Sequence, residues 1–419
     1  MHQLKIAYWL ISLLSGLALA GCSSFQPKPL EQLDYINRTL SQEKNGVKVT
    51  VSVMTRQEAR AAFGKQLDKQ MIQPVWIEIE NNSDQTLWLM MQGLDPNYFT
   101  AREAATIVHS GRITNKAEIN NYFDALAIDQ VIPAAGKSSG FMFSNLKQGT
   151  KEVRIRLLGD ELVHEFDFYV TVPGLRADWQ YIDFKAIYQE DEYIDFQDAL
   201  GLRQVLEEFL CCTTRKDGSG SGDPINMVVI LESENSLLGF IKAGWDETEI
   251  ITTGSSWRTA KSFLTGGEYK YSPISALYVF ERPQDLSLQK ARGTINERNH
   301  LRLWLTPWRL HGKSIFVGAI SRDIGVFWTT RTWNLTSHAI DSEIDEARSY
   351  IVEDLAVAQT LSAYGFLEGV GKTTRDAPKQ NLLGTPWWTD GKRVVLVLSD
   401  TAVPLEEMEL LGWARRLDY

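Results

Sequence analysis

The chain is poor in the residues that most often carry enzymatic or metal chemistry, with three cysteines and six histidines in 419 residues. Its second half has no Gly-x-Ser-x-Gly elbow, and the chain has neither a His-Glu-x-x-His run nor the cysteine and histidine spacing of a zinc site. No metal and no cofactor are therefore expected. A basic tract is also missing: acids outnumber bases 53 to 43, for a formal charge of −10, and such a surface repels nucleic acid and anionic lipid alike. A nucleic-acid partner is excluded on that ground. At 44% hydrophobic and 23% charged residues, the composition is that of a globular protein and not of a disordered one. Long apolar runs are absent apart from Ile6 to Ala20, which is short for a membrane span.

That run follows Lys5 and ends in Leu19-Ala20-Gly21-Cys22, which resembles a bacterial lipobox. The resemblance implies a leader over residues 1–21, cleavage before Cys22, lipidation of Cys22 by palmitate-like acyl chains and anchoring of the protein to a membrane through them. Ser23 stands where an Asp would favour inner-membrane retention, so the expected address is the outer membrane, facing the periplasm. Cleavage removes Lys5 and no acid, which takes the formal charge from −10 to −11. Residues 22–45 are polar and carry Pro27 and Pro29, the composition of a tether. The two remaining cysteines, Cys211 and Cys212, are adjacent; they are candidates for a vicinal disulfide or for buried thiols.

Val47, Val49, Val51 and Val53 alternate with polar residues, and so do Val75, Ile77 and Ile79, then Val153, Ile155 and Leu157, then Phe166, Phe168, Val170 and Val172. A period of two over several short segments with turn residues between them predicts a β-sandwich of immunoglobulin type over residues 46–173. Thr100 and Glu103 have capping-box spacing ahead of a short helix. Pro173-Gly174 marks a boundary, beyond which Leu206 and Phe209 recur at helical spacing and Ile225 to Leu231 is a buried-strand run. Residues 174–419 are therefore expected to form a mixed α/β domain with a largely antiparallel sheet, and the whole chain is α+β. The glycines at 218, 220 and 222 precede a strand, and Gly371-Lys372-Thr373 lacks the opening glycine of a phosphate loop, so neither reads as a nucleotide site.

Several stretches of this second half occur together in one order: Cys211-Cys212-Thr213-Thr214, Gly222-Asp223-Pro224-Ile225-Asn226, Ala243-Gly244-Trp245, Ser275 to Asp285, His300-Leu301-Arg302-Leu303-Trp304, and His338-Ala339-Ile340-Asp341 with Glu346, Arg348 and Asp354. They resemble the LssY C-terminal domain family over roughly residues 180–400. Relatives carry this domain fused to membrane phosphatase-like regions, which implies an association with lipid-phosphate metabolism; this chain has no multi-span region of that kind.

Two functional readings follow. In the first the protein is a binding or scaffold lipoprotein of the cell envelope, engaging an envelope lipid, glycan or protein. In the second it is a hydrolase of an envelope ester or lipid phosphate. His300 or His338 would then be the general base, Asp323 would orient His300, and Arg282, Arg302, Trp304 and Arg348 would line an anion site. Leu301, Leu303 and Leu305 alternate with His300, Arg302 and Trp304, so one strand face is expected in the core and the other gathers a histidine, an arginine and a tryptophan that need a partner. Either Asp323 pairs with Arg302 or caps its own turn and His300 is a half-buried ring of the architecture, or the group holds an anionic ligand. Turns are expected at Pro307 to Lys313 and at Arg322 to Gly325, bringing the His300 end of one strand beside the Asp323 end of the next. The acids at 341, 343, 345 and 346 fit the first turn of a helix containing Ile344, Ala347, Ile351 and Leu355, with Asp345 and Arg348 as an i,i+3 pair.

Overall fold

In a computed structural model the chain divides into two compact units, Met1–Gly174 and Leu175–Tyr419. The structure describes residues 25–64, 67, 69–109, 115–160, 162–174, 177, 182–249, 274–291, 298–328 and 336–412. The leader and Cys22 lie outside the described residues.

The first unit is built on two four-stranded antiparallel sheets. Its strands are β1 (Leu40–Lys44), β2 (Val47–Val53), β3 (Ile72–Asn81), β4 (Leu87–Leu89), β5 (Val131–Ile132), β6 (Gly136–Asn145), β7 (Gly149–Leu158) and β8 (Val163–Val172). The orders are β1-β2-β3-β6 and β5-β4-β7-β8. The alternating valines of β2 and isoleucines of β3 meet Val153, Ile155, Phe166 and Phe168 of the second sheet in one core, which is what period-two patterning on both sheets requires. The strand order differs from the ABED/CFG arrangement of an immunoglobulin domain, since β1, β2 and β3 are consecutive neighbours within one sheet.

A second core lies beside Phe141 and Phe143 of β6, where the helices Arg56–Phe63, Ala101–His109 and Lys116–Leu126 contribute Phe63, Val108 and Phe123. The helix at Ala101 begins at the capping pair anticipated, with the Thr100 amide donating to Glu103 at 2.7 Å and the Glu103 amide to the Thr100 hydroxyl at 3.2 Å. Residues 30–45 correct the tether reading. They form two 3-10 turns and the edge strand β1, because Leu33 and Tyr35 have a core to enter and are 8% and 5% exposed.

The second unit carries a ten-stranded sheet. Its strands are β9 (Ile194–Phe196), β10 (Met227–Leu231), β11 (Asp246–Glu247), β12 (Leu286–Ala291), β13 (Arg298–Leu310), β14 (Lys313–Trp328), β15 (Thr336–Ile340), β16 (Leu361–Glu368), β17 (Lys392–Leu398) and β18 (Glu409–Leu410). The main order is β11-β12-β13-β14-β10-β17-β16-β18, with β15 beside β14 and β9 beside β13. Most pairs are antiparallel, and β10 with β17 is the central parallel one. The architecture is thus α+β.

Of two hairpin turns, the one at His311 and Gly312 lies within the expected Pro307 to Lys313 stretch, and the one at Phe280 and Glu281 was hidden from sequence reading. A tight hairpin at Tyr278–Pro283 turns through Phe280 and Glu281, both at positive φ, and the β13–β14 hairpin turns through His311 and Gly312. Such turns are ordinarily announced by Asn-Gly or Gly-Gly, and only Gly312 is of that kind. Pro307 therefore does not open a turn; it sits inside β13 where the register shifts between Leu305 and Arg309, a position at which a missing N–H is tolerated. Arg322 to Gly325 likewise continue β14, with a bulge between Asp323 and Gly325.

Candidate functional site

β13 brings two arginines and a histidine to one face, because Arg298, His300 and Arg302 are spaced by two. In register, His300 stands opposite Gln289 of β12 and Ser321 of β14. Asp323 lies two residues beyond Ser321, on the same face and diagonal to His300, with its Oδ2 3.4 Å from His300 Nε2 and 3.6 Å from Arg298 Nε. Arg298 also donates to Gln289 Oε1 at 2.5 Å. Arg302 turns the other way, to Asp223 at 3.4 Å and the Ser275 carbonyl at 3.3 Å, while Asn381 donates to the other oxygen of Asp223 at 3.0 Å.

Burial dominates the electrostatics of this cluster. It pushes the Asp323 carboxyl up to about 7, against the pull of Arg298 and Arg302, and it lowers Arg298 to about 10 and Arg302 below its ordinary value. His300 is 6% exposed and Asp323 1%. A general base must reach a substrate proton, and these groups reach each other instead.

The remaining candidates are committed elsewhere. Trp304 is fully buried in the core with Leu202, Val228 and Val317, and its Nε1 donates to the Arg282 carbonyl at 3.3 Å. The partner of this end of the polar face is the helix Ala199–Glu208, which packs there through Leu202 and Leu206. Arg348 grips Asp390 through two bonds of 2.7 and 2.9 Å and the Lys392 carbonyl at 2.8 Å, with Asp345 at 3.3 Å. It ties the helix Ile344–Val357 to the start of β17. His338 is placed by its backbone only, opposite Val326 in the β14–β15 pair.

Cys211 and Cys212 are joined in a vicinal disulfide that packs with Ile344, Val370 and Trp387. A literal Gly-x-Ser-x-Gly does occur in the first unit, at Gly136 to Gly140, but it runs along β6 and not around a strand-to-helix turn, so it presents no nucleophile. Among the described residues no group of three or more His, Cys, Asp or Glu could hold a metal ion.

The opposite face of β13 leads to an open concavity. Leu305, with Leu286 and Leu288 of β12, Phe316 of β14 and Leu231 of β10, forms the apolar floor of a cavity of about 670 Å³. One wall is the segment Phe184 to Tyr193 and the other the turn and short helix from Glu234 to Ile241. Arg282 holds the first wall. It is fixed by two 3.0 Å bonds to Asp285, donates to the Leu305 carbonyl at 2.5 Å and to the Tyr188 hydroxyl at 2.9 Å. Tyr188 in turn donates to the Leu305 carbonyl at 3.2 Å and meets Tyr193 edge-on at 5.7 Å. Arg309 pairs with Glu190 at 2.6 Å and lies over the Tyr193 ring at 3.5 Å. The wall is thus pinned to the sheet.

Sequence reasoning missed this site because its lining residues read singly as core leucines and loop aromatics. The segments that carry them span residues 184 to 316, and no local period connects them. Arg298 could have been found, since it extends the His300 and Arg302 alternation by one step.

These features define a mixed α/β domain whose charged motif residues are spent on architecture and whose accessible concavity is apolar. Residues 203–392 match the family model described as LssY C-terminus, so the second unit carries an LssY C-terminal domain. No curated protein matches the chain.

Proposed function

We propose that the protein is a membrane-anchored binding module of the bacterial cell envelope and not a hydrolase. One observation carries the reading: the only polar cluster with a histidine, a carboxylate and arginines among the described residues is buried in mutual contact, whereas the open cavity is lined mainly by hydrocarbon. A hydrolase would need His300 in reach of water and substrate. Testing is direct. The purified full chain should turn over neither p-nitrophenyl esters nor p-nitrophenyl phosphates above background, and a turnover abolished by His300→Ala would overturn the reading.

Anchoring is argued from the Leu19 to Cys22 motif. Phe25 already packs against Tyr122 with ring centroids 5.4 Å apart. The three steps from Cys22 to Phe25 extend at most about 11 Å, so acyl chains on Cys22 would hold the first unit close to the bilayer surface. Cys22→Ser is expected to leave the protein folded, uncleaved and unlabelled by a metabolic fatty-acid probe. Label retained in that variant would remove the anchor from the account.

A further inference from the structure

We propose that the cavity takes a single-chain amphipath, with its hydrocarbon chain on the leucine floor and a zwitterionic or neutral head at the rim. The inference rests on the binding reading above and names the class of ligand.

Three features of the lining point to this class. The floor is aliphatic, from Leu231, Leu286, Leu288, Leu305 and Ile241, and all five side chains are at most 5% exposed, so they form a continuous apolar surface. Chain methylenes laid on such a surface leave water at no polar cost. The volume of about 670 Å³ is that of a site for one small molecule and is too small for a folded peptide partner. The wall is pre-organised by the Arg282, Tyr188 and Arg309 contacts already described, so little ordering opposes entry.

The charges select the head. Glu190 and Glu234 line the cavity with Lys185 and Arg309. Arg309 is already paired with Glu190, which leaves one acid, Glu234, and one base, Lys185, for a ligand. A doubly charged phosphate monoester would meet Glu234 as well as Lys185. A phosphocholine-type head, by contrast, can set its phosphate toward Lys185 and its ammonium toward Glu234.

The test uses the full chain and N-phenyl-1-naphthylamine, a neutral apolar dye that fluoresces when it leaves water. The dye should bind the wild type, and Leu238→Trp and Ser314→Trp, which push an indole into the cavity from the short helix and from the start of β14, should each weaken it at least tenfold. Melting temperature, recorded on the same samples, should not fall. Dodecylphosphocholine, used below its micelle concentration, should displace the dye at concentrations at least tenfold lower than dodecyl phosphate. Equal dye affinity in wild type and in a folded variant, or no dye binding at all, would overturn the assignment of the cavity. Equal or better displacement by dodecyl phosphate would overturn the assignment of the head. Either failure leaves the binding reading standing if esters and phosphates are still not turned over, whereas turnover lost in His300→Ala defeats that reading itself.

Discussion

Replacing Arg393 by methionine is expected to destabilise the second unit by about 3 kcal/mol or more, among the largest effects of any single substitution in the protein. Arg393 is fully buried on β17, and among the described residues no carboxylate is bonded to it. Its guanidinium donates to five backbone carbonyls: Ile225 at 2.8 Å, Phe209 at 2.9 Å, Leu210 at 2.7 Å, Gly369 at 3.0 Å, and Leu206. Three of these belong to the C-terminal end of the helix Ala199–Glu208 and the residues after it, where carbonyls lack helical partners and a cation is favoured. The same residues lead into the Cys211–Cys212 turn. Burial lowers the Arg393 pKa to about 10, which still leaves it charged at neutral pH. Methionine keeps the apolar stem and strands the carbonyls, each costing about 1–3 kcal/mol when buried without a donor. Lysine supplies charge but not the planar fork, so it should recover only part of the loss. Urea denaturation followed by tryptophan fluorescence reads the effect; a midpoint unchanged in Arg393→Met would show that the network contributes nothing.

Asp323→Ala is expected to cost about 1–3 kcal/mol at pH 5, because it removes the buried partner that faces Arg298. The cost should depend on pH in a defined direction. The folded-state pKa of Asp323 is raised to about 7 from 3.8, first by burial, so between these values the folded protein holds a proton that the unfolded chain has released. The contribution of this group to stability is therefore full below about pH 4 and is lost as pH rises through about 7. Asp323→Asn, which cannot titrate, should remove that slope: from pH 5 to pH 8 the wild type should lose stability relative to Asp323→Asn. Parallel pH profiles for the two proteins would contradict the buried, proton-holding carboxyl.

Of these two residues Asp323 was half legible in the sequence, and Arg393 was not legible at all. The alternation of Leu301, Leu303 and Leu305 with His300, Arg302 and Trp304 correctly gives a strand with two distinct faces, and the expected neighbourhood of His300 and Asp323 holds to within two residues of register. What alternation does not reveal is that the polar face is covered. A polar residue in a strand reads as solvent-facing, yet here Arg302 and Asp223 bury each other, and Arg298 does the same with Asp323. The helix Ile344–Val357 was legible because its buried residues Ile344, Ala347, Ile351 and Leu355 keep a strict helical spacing. The segment before β2 was not, because Leu33 and Tyr35 are isolated apolar residues in polar sequence and only the core beside β6 gives them a reason to order. The cavity had no signature of its own: it is made of leucines that would look the same if they were packed solid.

Native mass spectrometry of the full-length protein, extracted from its membrane in mild detergent and compared with Leu238→Trp, tests the central claim most directly. The account predicts an adduct with the mass of one small amphipath on the wild type, retained at activation energies that strip detergent and absent from the variant. Identical spectra for the two proteins, together with an ester or phosphate hydrolysis that His300→Ala abolishes, would contradict it.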